Sequence, residues 1–66
     1  MNMESETAKL FLNKPVELTF NNNFVLHGKI TAVDSNGFVF VTTQRTSYIS
    51  FSLIATILLE ENETKI

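Results

Sequence analysis

The feature that most constrains this chain is a change of hydrophobic period at Val16. From there on, apolar and polar side chains alternate in short segments, such as VELTF at residues 16–20 and SYISF at residues 47–51. Alternation of this kind is typical of β-strands that bury one face and leave the other in water. Short polar connections, NNN, SNG and QRT, separate the segments. The pattern therefore predicts five consecutive antiparallel strands joined by tight turns.

The segment before Val16 has a helical pattern. Ala8, Phe11 and Leu12 are spaced at i, i+3 and i+4, so a helix would place all three on one face. Pro15 disfavours helical backbone in the residue that precedes it. We therefore expect a short helix over about residues 5–13 that covers the core, after a disordered N-terminus at residues 1–4.

A flat five-stranded sheet with one short helix leaves much apolar surface in water, and closure into a small barrel removes that problem. The second strand, FVLHGKITAVD, is long enough to serve both halves of a barrel, and Gly28 near its middle is the residue expected at a sharp bend. Gly37 is expected to supply a positive φ in the next turn. The predicted fold is mainly β: a single domain over residues 5–59, with a short helix before a strongly bent, five-stranded antiparallel barrel at about residues 16–59.

The chain has 66 residues, and a domain of that size buries only about 60% of the surface that its unfolded form exposes. Small domains usually add disulfides, a metal ion or a partner subunit. There is no cysteine, and the only histidine, His27, cannot build a zinc site alone. We therefore expect no cofactor and no metal, and we expect self-association through the edge strands instead.

The formal net charge of −2 comes from the end of the chain, where EENETKI at residues 60–66 forms an acidic, solvated tail. The rest of the chain is neutral, so charge neither indicates nor excludes RNA as a partner. The chain lacks a signal-peptide pattern and an apolar run of about 18–20 residues, so we expect a cytoplasmic protein without a membrane partner. We expect no enzyme activity, because Glu17 and Asp34 show no sign of pairing and a serine has no base partner except the lone His27.

Two segments resemble the signature segments of Sm-like proteins, a superfamily that includes bacterial Hfq. In LHGKITAVD, residues 26–34, a glycine follows an apolar residue by two positions and precedes an apolar residue and an aspartate. In YISFSLIATI, residues 48–57, two short strands flank a tight turn. The similarity extends over about residues 8–59.

The resemblance implies a bent five-stranded barrel that forms a ring, with the fourth strand of one subunit paired to the fifth strand of the next. It also implies that single-stranded RNA binds at the pore, on the turn after the second strand and on the turns around the fourth strand. By position, the implied RNA-binding residues are Asp34, Asn36, Phe38, Arg45, Ser50, Phe51 and Ser52.

Other interpretations of these residues remain open. Phe38 fits a core position at the start of an apolar strand as well as a platform for a stacked base. Arg45, the only arginine, either lines the mouth of a ring or is an ordinary surface residue. Hfq proteins have a Tyr-Lys-His turn where this chain has Ser50-Phe51-Ser52. That difference favours an alternative function, a protein-interaction or self-assembly module of the same fold that has lost RNA binding.

Overall fold

The computed structural model describes residues 5–60, which form five β-strands, one α-helix and one 3₁₀ turn. The elements are α1 (Ser5–Lys9), β1 (Pro15–Phe20), β2 (Val25–Val33), β3 (Gly37–Val41), β4 (Thr46–Ser50), η1 (Phe51–Leu53) and β5 (Ile54–Leu59). All five predicted strands are therefore confirmed. The expected disordered N-terminus, and the expected tail beyond its first residue, lie outside the described residues. No helix in the described part is long and apolar enough to span a membrane.

The strands form one antiparallel sheet in the order β4-β3-β2-β1-β5. Each of the first four strands pairs with the next along the chain, but β5 pairs with β1. Strands β4 and β5 are therefore the two edges, and no ladder joins them within residues 5–60. The expected closure into a barrel is wrong for this chain. The connection η1 is not a hairpin turn, and it directs the chain across to β1 instead of back along β4.

The open sheet is nevertheless strongly curved. In a flat sheet, four strand spacings of about 4.8 Å would separate β4 from β5 by about 19 Å. Only η1 connects Ser50, which ends β4, to Ile54, which begins β5, and four residue steps span at most about 14 Å. The adjoining ends of the two edge strands must therefore approach each other, so the sheet curls around its core.

Two register shifts allow this curvature. One lies between Thr19 and Phe20 in the pairing of β1 with β5, and the other between Ile30 and Ala32 in the pairing of β2 with β3. An extra residue in one strand kinks that strand and increases its twist. The irregularity in β2 thus begins two residues beyond Gly28, the position at which the sequence predicted a bend.

Both glycines allow close approach of neighbouring strands. A Cβ atom at Gly28 would overlap the carbonyl oxygen of Val41, and one at Gly37 would overlap the carbonyl oxygen of Ile49. The predicted positive φ at Gly37 is wrong, because neither glycine has one. Gly37 is the first residue of β3 and not a turn residue. Within the described residues an asparagine of the NNN turn, Asn23, has a φ of 70°.

The core is apolar and receives side chains from every element. Its buried residues are Ala8, Val16, Leu18, Ile30, Phe38, Phe40, Ile49, Phe51 and Ile54. Three aromatic rings pack together in it. The ring of Phe38 lies edge-on to Phe40, with centroids 6.1 Å apart, and stacks on Phe51 at 5.7 Å. Aromatic pairs at such distances contribute about 0.5–1.5 kcal/mol beyond the effect of buried area.

The helix covers this core as predicted but is shorter. The N–H groups of residues 10–12 donate to carbonyl groups three residues earlier, so the chain continues after α1 in tight turns. The Asn13 N–H then donates to the Ile30 carbonyl oxygen at 2.8 Å, which draws this segment out of a helical path and onto β2. The predicted apolar stripe is present: Ala8 is buried, and Phe11 and Leu12 pack against the core.

Candidate functional site

Asp34 organises the turn between β2 and β3. Its Oδ1 accepts hydrogen bonds from the N–H groups of Asn36 and Gly37, both at 2.8 Å, and from the Tyr48 hydroxyl at 2.9 Å. The N–H of Asn36, the Tyr48 hydroxyl and the N–H of Gly37 together hold the pKa of the Asp34 carboxyl below its ordinary value. The hydrogen bond between the Tyr48 hydroxyl and the Asp34 carboxylate also raises the pKa of Tyr48. The carboxylate therefore fastens the turn to β4.

The turn at the end of β4 lies against the turn that Asp34 organises. The Phe51 N–H donates to the Asn36 carbonyl oxygen at 3.0 Å. The hydroxyl oxygens of Ser50 and Ser52 lie 3.0 Å apart, and the Ser52 N–H donates weakly to the Ser50 hydroxyl at 3.4 Å. The structure thus brings Asp34 and Asn36 together with Ser50, Phe51 and Ser52. We call this group of five residues the turn pair.

The two aromatic rings implied as RNA contacts are not accessible. The side chain of Phe38 is 0% exposed and that of Phe51 is 6% exposed, and the two rings stack on each other in the core. A base can stack only on a ring that offers a free face. Neither ring offers a free face in this conformation, and Phe38 occupies the core position considered for it.

Arg45 lies at the opposite end of the β3–β4 hairpin from the turn pair. Five residue pairs form the ladder that begins with Gly37 opposite Ser50, so about 14 Å of strand separates the two ends. The Arg45 carbonyl oxygen accepts a hydrogen bond from the Thr42 N–H at 2.9 Å, and its N–H donates to the Thr42 hydroxyl at 3.2 Å. The guanidinium is exposed. One chain alone therefore does not join Arg45 to the turn pair.

Arg45 borders a groove of about 440 Å³ between the start of β2 and the β3–β4 turn. The polar and aromatic side chains that line it include Phe24, His27, Gln44, Arg45 and Ser47. We call this the Arg45 groove. The ring of Phe24 is 59% exposed, so a face of it is open to a ligand. An aromatic ring, a guanidinium and an amide are groups that bind a base and its phosphate. The sequence interpretation missed Phe24, since it assigned that residue to a strand.

A second polar cluster lies on the outer face of the sheet. Glu17, His27 and Glu60 each place a ligand atom within 4.8 Å of the others, and His27 Nδ1 lies 2.5 Å from a carboxylate oxygen of Glu60. One imidazole nitrogen and two carboxylate oxygens form a donor set that suits divalent metal ions. The sequence interpretation considered His27 alone and assigned Glu60 to the tail. The available signal was the hairpin around NNN, whose register places Glu17 opposite His27.

Comparison of the chain with protein-family models, with curated proteins and with solved structures gives no match. The chemistry of its surfaces is therefore the basis for a functional interpretation. The residues predicted to bind RNA lie in three places. Asp34, Asn36, Ser50 and Ser52 lie in the polar turns, Phe38 and Phe51 lie in the core, and Arg45 borders the groove. Residues 5–60 carry four acidic and four basic side chains, so this part of the chain has no net charge.

Proposed function

We propose that this protein is a subunit of an Sm-like ring that binds single-stranded RNA and has no catalytic activity. The observation that carries the proposal is the Arg45 groove, in which an exposed aromatic ring and the only arginine of the chain border one cavity. In this proposal the RNA contacts are Phe24, Gln44 and Arg45. The buried rings of Phe38 and Phe51 have no contact role in this proposal.

In this proposal the Phe24 ring stacks on a base. The Phe20 ring packs against the Phe24 ring, with the centroids 6.2 Å apart and an interplanar angle of 59°. Stacking on an aromatic side chain contributes about 1–3 kcal/mol per base. The Arg45 guanidinium binds the adjoining phosphate, and the Gln44 amide offers a donor and an acceptor to a base edge. Because stacking tolerates any base, the expected sequence preference is modest.

The two unpaired edges of the sheet support the proposed assembly into a ring. Among the described strands, β4 and β5 each have a neighbour on one side only, and β5 exposes Leu58 and Leu59. Exposed edges of this kind pair readily with another chain. Pairing β4 of one copy with β5 of the next covers both edges, and such head-to-tail contacts generate a ring when the rotation closes. A ring repeats the groove in every subunit and so raises the avidity for RNA.

Fluorescence anisotropy with U-rich and A-rich RNA oligonucleotides tests the binding site. We expect saturable binding at about 150 mM salt, where purely electrostatic binding is weak. Phe24→Ser should weaken it by about 5- to 150-fold, the equivalent of one lost stacking contact. Arg45→Gln should also weaken it, whereas Lys9→Gln, which removes one positive charge from α1, should not. Equal loss in the Arg45 and Lys9 variants would mean nonspecific attraction and no site in the groove.

Size-exclusion chromatography with light scattering tests the assembly. A lysine at an edge strand opposes pairing with another chain, so Leu59→Lys should convert the oligomer to monomers. Leu10→Lys is the matched control, because Leu10, at 69%, is the most exposed large apolar residue within residues 5–60 and follows α1, which packs against the central strand β2. A monomeric wild-type protein, or an oligomer that tolerates Leu59→Lys, would contradict the proposed pairing.

The alternative function is a protein-interaction module of the same fold. The absence of net charge in residues 5–60 favours it, because a single subunit offers no general attraction to phosphates. An extended peptide would then add a strand to the β5 edge beside Leu58 and Leu59. A pull-down that returns one protein after nuclease treatment, and loses it with Leu59→Lys, supports this function. A pull-down that retains RNA and no protein supports the RNA-binding ring instead.

A further inference from the structure

The cluster of Glu17, His27 and Glu60 is assembled by three neighbouring strands. Glu17 of β1 and His27 of β2 are direct cross-strand partners, so their side chains lie side by side on one face. Glu60 follows β5, and its N–H donates to the Pro15 carbonyl oxygen at 2.9 Å. Because Pro15 lies two residues before Glu17 on β1, the residue beside Pro15 shares the face of Glu17. Backbone ladders therefore hold all three positions.

The ligand atoms are near the spacing that a metal ion needs. With bonds of about 2.0–2.2 Å, the ligands of a tetrahedral zinc ion lie about 3.3–3.6 Å from one another. The three atoms lie within 4.8 Å of one another, so no pair exceeds that spacing by more than about 1.5 Å. Glu17 and Glu60 are half-buried while His27 is exposed, which leaves the site open to an ion from solvent.

The charges of the cluster also favour a divalent cation. Two carboxylates share the site, and like charges at this separation repel each other. Within residues 5–60 Glu60 contacts the His27 imidazole, and no lysine or arginine forms an ion pair with Glu17 or Glu60. Lys29 is the neighbouring basic residue on this face, since it lies opposite Pro15, but it pairs with neither carboxylate. A divalent ion compensates both carboxylates at once.

We propose that Glu17, His27 and Glu60 bind a first-row divalent transition-metal ion, with Zn²⁺ as the ion of reference. An imidazole ligand favours such ions over Mg²⁺ and Ca²⁺, which prefer oxygen ligands throughout. Three protein ligands leave a coordination position for water. The bound ion ties the residue after β5 to β1 and β2, and so fixes the end of the edge strand. This inference does not rest on the proposed RNA binding, but the two sites adjoin, because His27 also lines the Arg45 groove.

Isothermal titration calorimetry of the metal-free full chain with ZnCl₂ tests the site. We expect one ion per chain. Glu17→Gln, His27→Gln and Glu60→Gln should each weaken binding by at least about tenfold, which is the scale of loss seen even for residues that only support metal ligands. Glu6→Gln, which removes an exposed carboxylate on α1, is the matched control and should bind Zn²⁺ like the wild type. Binding that persists in all three cluster variants overturns the proposal.

The single histidine gives a second measurement that needs no variant. Because His27 is the only histidine, its ring signals in a proton NMR spectrum are unambiguous. We expect these signals to shift with saturation at one equivalent of Zn²⁺, and to be unaffected by the same amount of Mg²⁺. Unchanged ring signals at one equivalent, or a dissociation constant weaker than about 1 mM, overturn the proposal even if a variant fails to fold.

Discussion

The two ends of the β3–β4 hairpin contain residues of similar chemistry, but they serve different purposes. At the end near Asp34, hydrogen bonds engage the carboxylate, the turn N–H groups and the Tyr48 hydroxyl, and the Phe51 ring is buried. At the end near Arg45, the backbone closes its own turn and leaves the guanidinium and the Phe24 ring exposed beside a groove. The first end is occupied with holding the fold together, and the second is free to bind.

This difference shows why residue type alone is a weak guide to a binding site. An aspartate and an asparagine in a turn can either contact a base or close the turn. Only their hydrogen-bond partners in the structure distinguish the two roles. Asp34 accepts hydrogen bonds from three donors of its own chain, so binding a ligand through this carboxylate would require breaking some of them. Arg45 uses only backbone atoms for its turn, so its side chain remains available.

The largest expected effect on stability comes from removing one aromatic ring, and it should differ sharply between the two ends. Phe38→Ala leaves a cavity beside Phe40 and Phe51, and such core deletions cost about 3–5 kcal/mol. Phe24→Ala removes an exposed ring, and surface substitutions usually change stability by no more than about 0.5 kcal/mol. Urea denaturation followed by circular dichroism measures both. A small domain has little stability to lose, so Phe38→Ala is expected to be largely unfolded in water.

An equal loss of stability in the two variants would contradict the proposed difference between the two ends. A Phe24→Ala variant that loses as much stability as Phe38→Ala would mean that the ring of Phe24 is part of the core in solution. It would then be unavailable to a base, and the proposed groove would have no stacking platform.

A smaller loss is expected from crowding the backbone near Asp34. In Gly37→Ala the new methyl group overlaps the Ile49 carbonyl oxygen and lies 2.9 Å from the Tyr48 ring, so β3 and β4 must separate. Overpacking of this kind costs about 1–3 kcal/mol. Ser35→Ala in the preceding turn is the control, because Ser35 is exposed. A lower urea midpoint for Gly37→Ala alone supports close approach as the role of this glycine; equal midpoints would contradict it.

Much of the fold was predictable because strands leave a local signal. The alternation in VELTF and SYISF and the turns between segments indicate strands without any knowledge of pairing. Closure was not predictable in the same way. Whether β5 pairs with β4 or with β1 depends on the path of η1, three residues whose sequence, FSL, has no distinct turn signature. The positive φ was misplaced at Gly37 because glycine suits both a turn and a close strand contact, and the local sequence does not distinguish them.

The site was less predictable than the fold because it depends on contacts between distant segments. Arg45 was a candidate because of its loop position, but its neighbour Phe24 lies twenty-one positions earlier and joins it only through the sheet. The cluster of Glu17, His27 and Glu60 similarly requires the pairing of β5 with β1. A lone histidine and an apparently solvated glutamate give no sign of each other until that pairing is known.

The next effect concerns the pH dependence of the turn near Asp34. Its lowered pKa means that the ionised carboxylate stabilises the folded protein above the unfolded-state pKa of about 3.9. That stability is lost as the pH falls through the lower, folded-state pKa. In Asp34→Ala we expect a reduced urea midpoint at pH 7 and a weaker decline toward acid than in the wild type. Asp34→Asn keeps an acceptor for the turn N–H groups and should fall between the two at pH 7.

If the urea midpoint falls equally with decreasing pH in the wild type and in Asp34→Ala, this account is contradicted. The hydrogen bonds that Asp34 accepts would then not be the source of the loss of stability in acid. Ser35→Ala, in the same turn, is measured alongside, and its urea midpoint should fall with decreasing pH as in the wild type.

The smallest effect isolates the link between the turn and β4. Tyr48→Phe removes the hydroxyl that donates to both oxygens of Asp34, at 2.9 and 3.1 Å, and leaves the two N–H donors in place. The pKa of Asp34 should rise toward its ordinary value but remain below it, and NMR titration of the carboxyl carbon measures that change. In the wild type the raised pKa of Tyr48 contributes stability below the unfolded-state pKa of about 10, and this contribution is lost as the pH rises through the folded-state value.

Because Tyr48 is the only tyrosine, its ionisation can be followed directly by ultraviolet absorbance in the wild type. In Asp34→Ala, where the acceptor is gone, we expect its pKa to return toward the ordinary value. An unchanged Asp34 pKa in Tyr48→Phe would mean that the turn N–H groups alone stabilise the carboxylate. The turn would then be closed without help from β4, and the hydroxyl of Tyr48 would be as free to contact a ligand as Arg45 is at the other end of the hairpin.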